Sequence, residues 1–230
     1  MRKIIGSILV VFLVFSLQSC SGVKVLNAWK GDKEAVESFK EKNILVIART
    51  ADNGSRLPFE MEIANNLRAK GFKATESFKK VPKLHPEREM TEERRKLIQD
   101  ILGYEGYNGI VITTIKDKSS VTSTSTSGVY MGGGYGSYYP GYYGGFNSYY
   151  SYPYAYGSYY SGFGGYIPLA SSTSTYTTTT YVLETVAYNL DAGKEDQLIA
   201  VVTTEVSDPK DAYKTAAVYT AKIMEALENK

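Results

Sequence analysis

The residues able to do chemistry are few, and their scarcity decides much. The 230-residue chain holds one histidine and one cysteine. His85 lies in the proline-flanked stretch VPKLHPE, which reads as a loop, and Cys20 lies near the start of the chain. Neither a Cys–His pair nor a multi-histidine metal centre can be assembled from them, because such sites need several of these ligands around one atom. Ser, Asp and Glu are plentiful, so a Ser–Lys or paired-carboxylate hydrolase stays open by count, but no spacing points to one. The run Gly132-Gly133-Gly134-Tyr135-Gly136 lacks the Lys-Ser/Thr and the following helix that a phosphate-cradling loop requires. Arg56 and Glu60 stand one helical turn apart. Either Arg56 meets a ligand at a helix N-terminus, with Asn53 and Ser55 nearby, or it pairs with Glu60 and anchors the helix start. Trp29 reads as a packing residue. No catalytic residue, metal or cofactor is implied.

A tyrosine-rich tract carries the remaining chemistry. Residues 130–166 hold 14 of the 21 tyrosines, among them the pairs Tyr138-Tyr139, Tyr142-Tyr143, Tyr149-Tyr150 and Tyr159-Tyr160. A tyrosine offers a flat apolar face and a hydroxyl at little entropic cost, which suits stacking on sugar rings or adhesion to a protein. Three readings stay open: a low-complexity tip without a ligand, adhesion to an envelope protein or a second copy, and glycan binding. Nucleic acid is not indicated, because residues 119–183 contain no Asp, Glu, Lys or Arg at all.

The elements that must position these groups follow from periodicity and caps. Residues 31–42 (GDKEAVESFKEK) form a short helix that Asp32 can cap, and NILVIA (43–48) is a buried strand. A helix is expected over about 57–70, with Phe59, Ile63 and Leu67 on its apolar side and Gly71 just past its end. FKATESF (72–78) is a more exposed strand. Thr91 opens a third helix that Gly103 stops. NGIVITTI (108–115) is a strand that runs on into SSVTSTSTSGVY, where threonines alternate with serines. STSTYTTTTYVLETVAYNL (172–190) mirrors it beyond the tyrosine tract. Two such arms predict a long antiparallel ribbon with the tract at its tip; residues 109–130 fully extended would span about 70 Å. LIAVVTTEV (198–206) is the last strand, and Ser207-Asp208-Pro209 opens the closing helix. The expected fold is α+β, a two-layer sandwich of about five mostly antiparallel strands with helices on one face and a protruding β-hairpin with a disordered Tyr/Gly tip. Residues 24–118 and 172–230 make up its single domain, and 119–171 are the insertion.

The first residues set the compartment. Arg2 and Lys3 precede an apolar run of fourteen residues, 4–17, which is too short to span a bilayer and right for a signal peptide. It ends in Leu17-Gln18-Ser19-Cys20, which resembles the lipobox of bacterial lipoproteins. That resemblance implies removal of residues 1–19, acylation of Cys20, and a tether over 20–23. Ser21, in place of aspartate, implies an outer-membrane destination, with the body facing the periplasm. Without residues 1–19 the 26 basic residues fall to 24, equal to the acidic count. The body therefore has no net charge with which to hold a nucleic acid or an anionic lipid.

Several motifs together call up a family. They are Trp29-Lys30, ILVIA, Arg56-Leu57-Pro58-Phe59-Glu60, NNLRAKGFKATESF, Tyr181-Val182-Leu183-Glu184-Thr185, Gly193 and Asp208-Pro209. The set resembles small bacterial cell-envelope lipoproteins that carry a domain of unknown function. The likeness covers most of residues 24–228 and departs at Ile199-Ala200-Val201, where the family often has an aromatic residue. It implies localisation and fold, and no particular activity.

Overall fold

The computed structural model describes residues 22–50, 52–80, 91–124 and 175–229. The chain begins with β1 (Val23–Lys30), α1 (Lys33–Lys40), β2 (Asn43–Arg49), α2 (Asn53–Ala69) and β3 (Lys73–Glu76). A short 3₁₀ turn over Ser77–Lys79 follows, then α3 (Glu92–Tyr104), β4 (Gly109–Thr124), β5 (Thr175–Asn189), β6 (Leu198–Ser207) and α4 (Ala212–Glu228).

Local signals fix most of these boundaries. Asp32 accepts the amide of Ala35 at 2.8 Å and starts α1. Thr91 does the same for Arg94 at the head of α3. Gly71 follows α2 with a φ of +88°, a conformation that glycine adopts without a side-chain clash. Three boundaries differ from the sequence expectation. Helix α2 starts at Asn53, because both carboxylate oxygens of Asp52 accept amides, from Gly54 and Ser55. Helix α3 runs past Gly103 to Tyr104, and the chain turns at Gly106 (φ +70°). Helix α4 starts at Ala212, capped by Asp211, after Asp208 takes a φ of +48°.

Among the described residues, six strands form one sheet in the order β1-β6-β5-β4-β2-β3. The three pairs from β1 to β4 are antiparallel, and β2 pairs parallel with both β4 and β3. The extra strand relative to expectation is β1. It is an edge strand with Lys24 and Asn27 in it and a register shift between Val25 and Asn27, so its sequence shows no clean alternation.

The crossover from β2 to β3 steps outward, while that from β3 to β4 steps back across β2. Right-handed crossovers in opposite directions need their helices on opposite faces. The core shows this arrangement. Ile63 and Leu67 of α2, with Tyr219 and Ile223 of α4, pack on Ile44, Val46, Val111 and Leu183. Ile98 and Leu102 of α3 pack on Leu45, Ile47, Ile112 and Val186. The α+β expectation of a largely antiparallel sheet with a helical layer on one face holds for α2 and α4, the two longest helices. Where β4 enters the sheet, a Cβ on Gly109 would sit 2.9 Å from Ile44 Cγ1 and 3.0 Å from the Phe39 ring, so glycine permits the close approach.

Candidate functional site

Strands β4 and β5 outrun the rest of the sheet. The last paired row shared by β4, β5 and β6 is Ser119–Thr180–Ser207, closed by the Ser207 amide donating to Gly22 O at 2.6 Å. Beyond it the Asp208 amide still donates to Thr179 O at 2.7 Å, and four further pairs continue from Val121–Thr178 to Thr124–Thr175 as a two-stranded ribbon. At about 3.4 Å per residue this is roughly 14 Å of projection. Ser120 and Thr179 join hydroxyls across it at 3.1 Å, and Val121 is 53% exposed. At the root, the Lys118 ammonium lies 5.6 Å over the Tyr181 ring. An aromatic face and a cation attract one another there at little desolvation cost.

A cleft of about 460 Å³ lies at the same end of the body, on the α2/α4 side. It forms where the carboxyl ends of parallel strands β2 and β4 meet the first turns of α2 and α4, the place at which open sheets with crossovers leave a crevice. Thr50, Ser55, Thr113 and Thr215 offer it hydroxyls, while Phe59, Ile115, Leu183 and Val206 offer it apolar surface. Arg49 contributes at the floor, but strand alternation sends its side chain to the face of Leu45 and Ile47. Asp52 is the one carboxylate of the lining, and its oxygens already accept the amides of Gly54 and Ser55 and the Ser55 hydroxyl. Behind Thr113 runs a buried relay of hydroxyls. Thr113 and Thr185 lie 2.7 Å apart, and Thr185 and Tyr219 lie 2.6 Å apart. Burial pushes the Tyr219 phenol up to about 12, with its threonine hydrogen bonds offsetting part of that rise.

The buried carboxylates Glu60, Glu76 and Glu184 each have a cationic partner. Glu60 is fully buried and accepts Arg56 Nε at 2.9 Å, the Ala48 amide at 3.0 Å, the Ser77 hydroxyl at 2.8 Å and the Phe78 amide at 2.8 Å. Arg56 is itself 4% exposed, and its Nη2 donates to Ser77 Oγ at 2.9 Å. The pair thus ties the head of α2 to β2 and to the turn after β3. Glu76 sits between Arg68 and Lys79, and Glu184 lies 3.1 Å from Lys116. Among the described residues, no group of three His, Cys, Asp or Glu could hold a metal ion.

The other sequence-derived candidates, Cys20, Tyr138, Tyr139, Tyr142, Tyr143, Tyr149, Tyr150, Tyr159 and Tyr160, lie outside the described residues, as does His85. The structure places the ribbon that leads to the tyrosines. Trp29 is half-buried on β1 and packs on the second core cluster. Sequence reasoning missed the cleft. Its one local signal was the pair of aspartates, Asp52 and Asp211, that cap the two bordering helices.

No family model and no curated protein matches this sequence. Some solved structures are similar to the chain. Two of them are PelC dodecamers from Paraburkholderia phytofirmans, one of them a point variant. Each is 9% identical over 89% of this chain and 95% or 96% of its own, with TM-scores of 0.39 and 0.40. Identity and score are both too low for a shared family or a shared role to follow.

Proposed function

We propose that this protein is a non-enzymatic lipoprotein of the bacterial outer membrane, held by acyl chains on Cys20, whose β4–β5 ribbon presents the tyrosine tract for weak contact with another envelope component or a second copy. The observation that carries the reading is the ribbon itself. It is a paired, uncharged continuation of the sheet that leaves the body before the tract begins. A solvated two-stranded ribbon has little burial to stabilise it, so it fits an appendage more than a core element. The single cysteine supports the anchor, because an exported chain with one free thiol invites oxidation and acylation removes that hazard.

Deleting residues 128–168 is the direct test. The shortened protein should unfold in one cooperative transition at an unchanged midpoint, and should lose the partners that crosslinking in intact cells finds for the full chain. Loss of cooperative folding would show that the tract belongs to the core and would sink the reading. Pull-down on purified sacculi, with the tip tyrosines changed to serine, separates glycan stacking from protein adhesion.

A further inference from the structure

One irregularity in β4 sets the charge of the cleft. Strand β2 ends at Arg49, opposite Thr114, while β4 runs on, and the cleft forms over the α2/α4 face of β4 and β5 beyond that row. In regular alternation the residues of β4 that follow Thr113 on this face would be Ile115 and Asp117. The register instead shifts by one residue: Ile115 pairs with Leu183, Asp117 with Val182 and Lys118 with Tyr181. Lys116 is the extra residue. Its Nζ lies 3.1 Å from Glu184, which strand alternation places with Val186 on the α3 side of the sheet. The bulge therefore exchanges Asp117 for Lys118 beside Tyr181 on the cleft face, where the Lys118 ammonium stands 5.6 Å over the ring. Bulges next to functional sites re-aim side chains in this way.

We infer that the cleft binds a single-chain anionic amphiphile, with its apolar chain on the floor and its acidic head at Lys118. This reading depends neither on the anchor nor on the tyrosine tract. The cleft, at about 460 Å³, falls within the roughly 300–1,000 Å³ of pockets that hold small ligands. Phe59, Ile115, Leu183 and Val206 give it an apolar floor. Lys118 is exposed, and an exposed charge gains little from pairing in water, so a bare anion would be held weakly. The chain supplies the affinity by leaving water for that floor, and Lys118 sets orientation and charge preference. The hydroxyls of Thr50 and Thr215 line the same cleft and can donate to the oxygens of the head. The remaining charges of the lining are otherwise engaged. Asp52 accepts the amides of Gly54 and Ser55 and the Ser55 hydroxyl, Lys210 lies 3.4 Å from Asp208, and Arg49 turns to the other face. A free fatty acid and a lysophospholipid share the required chemistry.

The test is photolabelling of the full chain in its native membranes with dodecanoate that carries a diazirine at the chain end, followed by peptide mapping. Label should saturate and fall within residues 55–59, 113–115 and 181–183. Dodecanoate or lauroyl lysophosphatidylglycerol should displace it at severalfold lower concentration than uncharged dodecanol, and inorganic phosphate should not displace it. The stronger of the two acids tells a free fatty acid from a lipid headgroup as the source. Lys118→Gln should erase the preference for the acids and leave displacement by dodecanol unchanged, whereas a merely structural role for Lys118 would weaken every competitor alike. Deleting Lys116 returns Asp117 to the cleft face and should turn the preference toward dodecylammonium, with a melting curve to confirm that the shortened strand folds. Lys118→Glu reads the same reversal without altering the register. Equal displacement by dodecanoate and dodecanol on the unaltered chain would overturn the inference. So would label that never saturates or spreads over the surface, or displacement by soluble muropeptides, which would mean a sugar site.

Discussion

Strands β4 and β5 form one continuous ladder with two chemistries. In its inner part Ile110, Ile112, Val186 and Tyr188 are almost wholly buried, and helices cover both faces. In its outer part every residue from 119 to 124 and from 175 to 180 is uncharged, and all but Val121 and Tyr176 are Ser or Thr. The backbone pairing is alike in both halves; what differs is the apolar area removed from water. Pairing propagates a strand, but burial anchors it, so the same ladder is a core element at one end and an appendage at the other.

The largest effect tests the anchored side away from the ladder itself. Arg56→Ala would leave Glu60 buried with its charge uncompensated and should cost about 3–5 kcal/mol, measured by urea denaturation. If Arg56 served a ligand instead, the loss in stability would be small. Next comes the comparison within the ladder. Ile112→Ala should cost about 2–5 kcal/mol, while Val121→Ala should stay within about 0.5 kcal/mol. Similar losses at the two positions would mean that the ribbon is packed. Tyr219→Phe should cost about 1 kcal/mol by removing one of the two hydroxyl partners of Thr185, with Thr113 retained. It also has a pH signature. The folded phenol titrates near 12 against an ordinary value of 10.0, so its contribution is complete below about pH 10 and is lost as pH rises toward 12. The phenylalanine variant should lose stability less steeply over that alkaline range.

The smallest effect lies at the far end of the sheet. Asp191 accepts Lys42 Nζ at 2.7 Å and Asn108 Nδ2 at 2.8 Å, and the Lys42 hydrogen bond holds its carboxyl below the ordinary 3.8. A depressed carboxylate stabilises the fold above its unfolded value and ceases to do so as pH falls through the folded one. Asp191→Asn should therefore leave the melting temperature nearly unchanged in neutral buffer and flatten its decline in acid.

Particular residues show how far the sequence could be read. Asp32, Thr91 and Gly71 announced helix ends because caps act within three or four residues. Strand β1 went unread because an edge strand with a bulge is recruited by its neighbour and not by its own pattern. The start of α4 moved from Pro209 to Ala212, since Ser207-Asp208-Pro209 and Asp211 offer competing caps and only the left-handed turn at Asp208 decides between them. Arg56 and Glu60 were legible as neighbours on a helix. That Ala48, Ser77 and Phe78 close around the same carboxylate was not, because those contacts span loops.

The caps, the apolar stripes, the uncharged arms and the single cysteine beside a lipobox-like stretch are all readable along the chain. All of these depend on residues near one another along the chain. What long-range pairing adds is that β1 begins at the end of the body from which the ribbon leaves. That follows from the pairing of Val23 with Val206, two residues 183 positions apart, which long-range burial selects and no local pattern records.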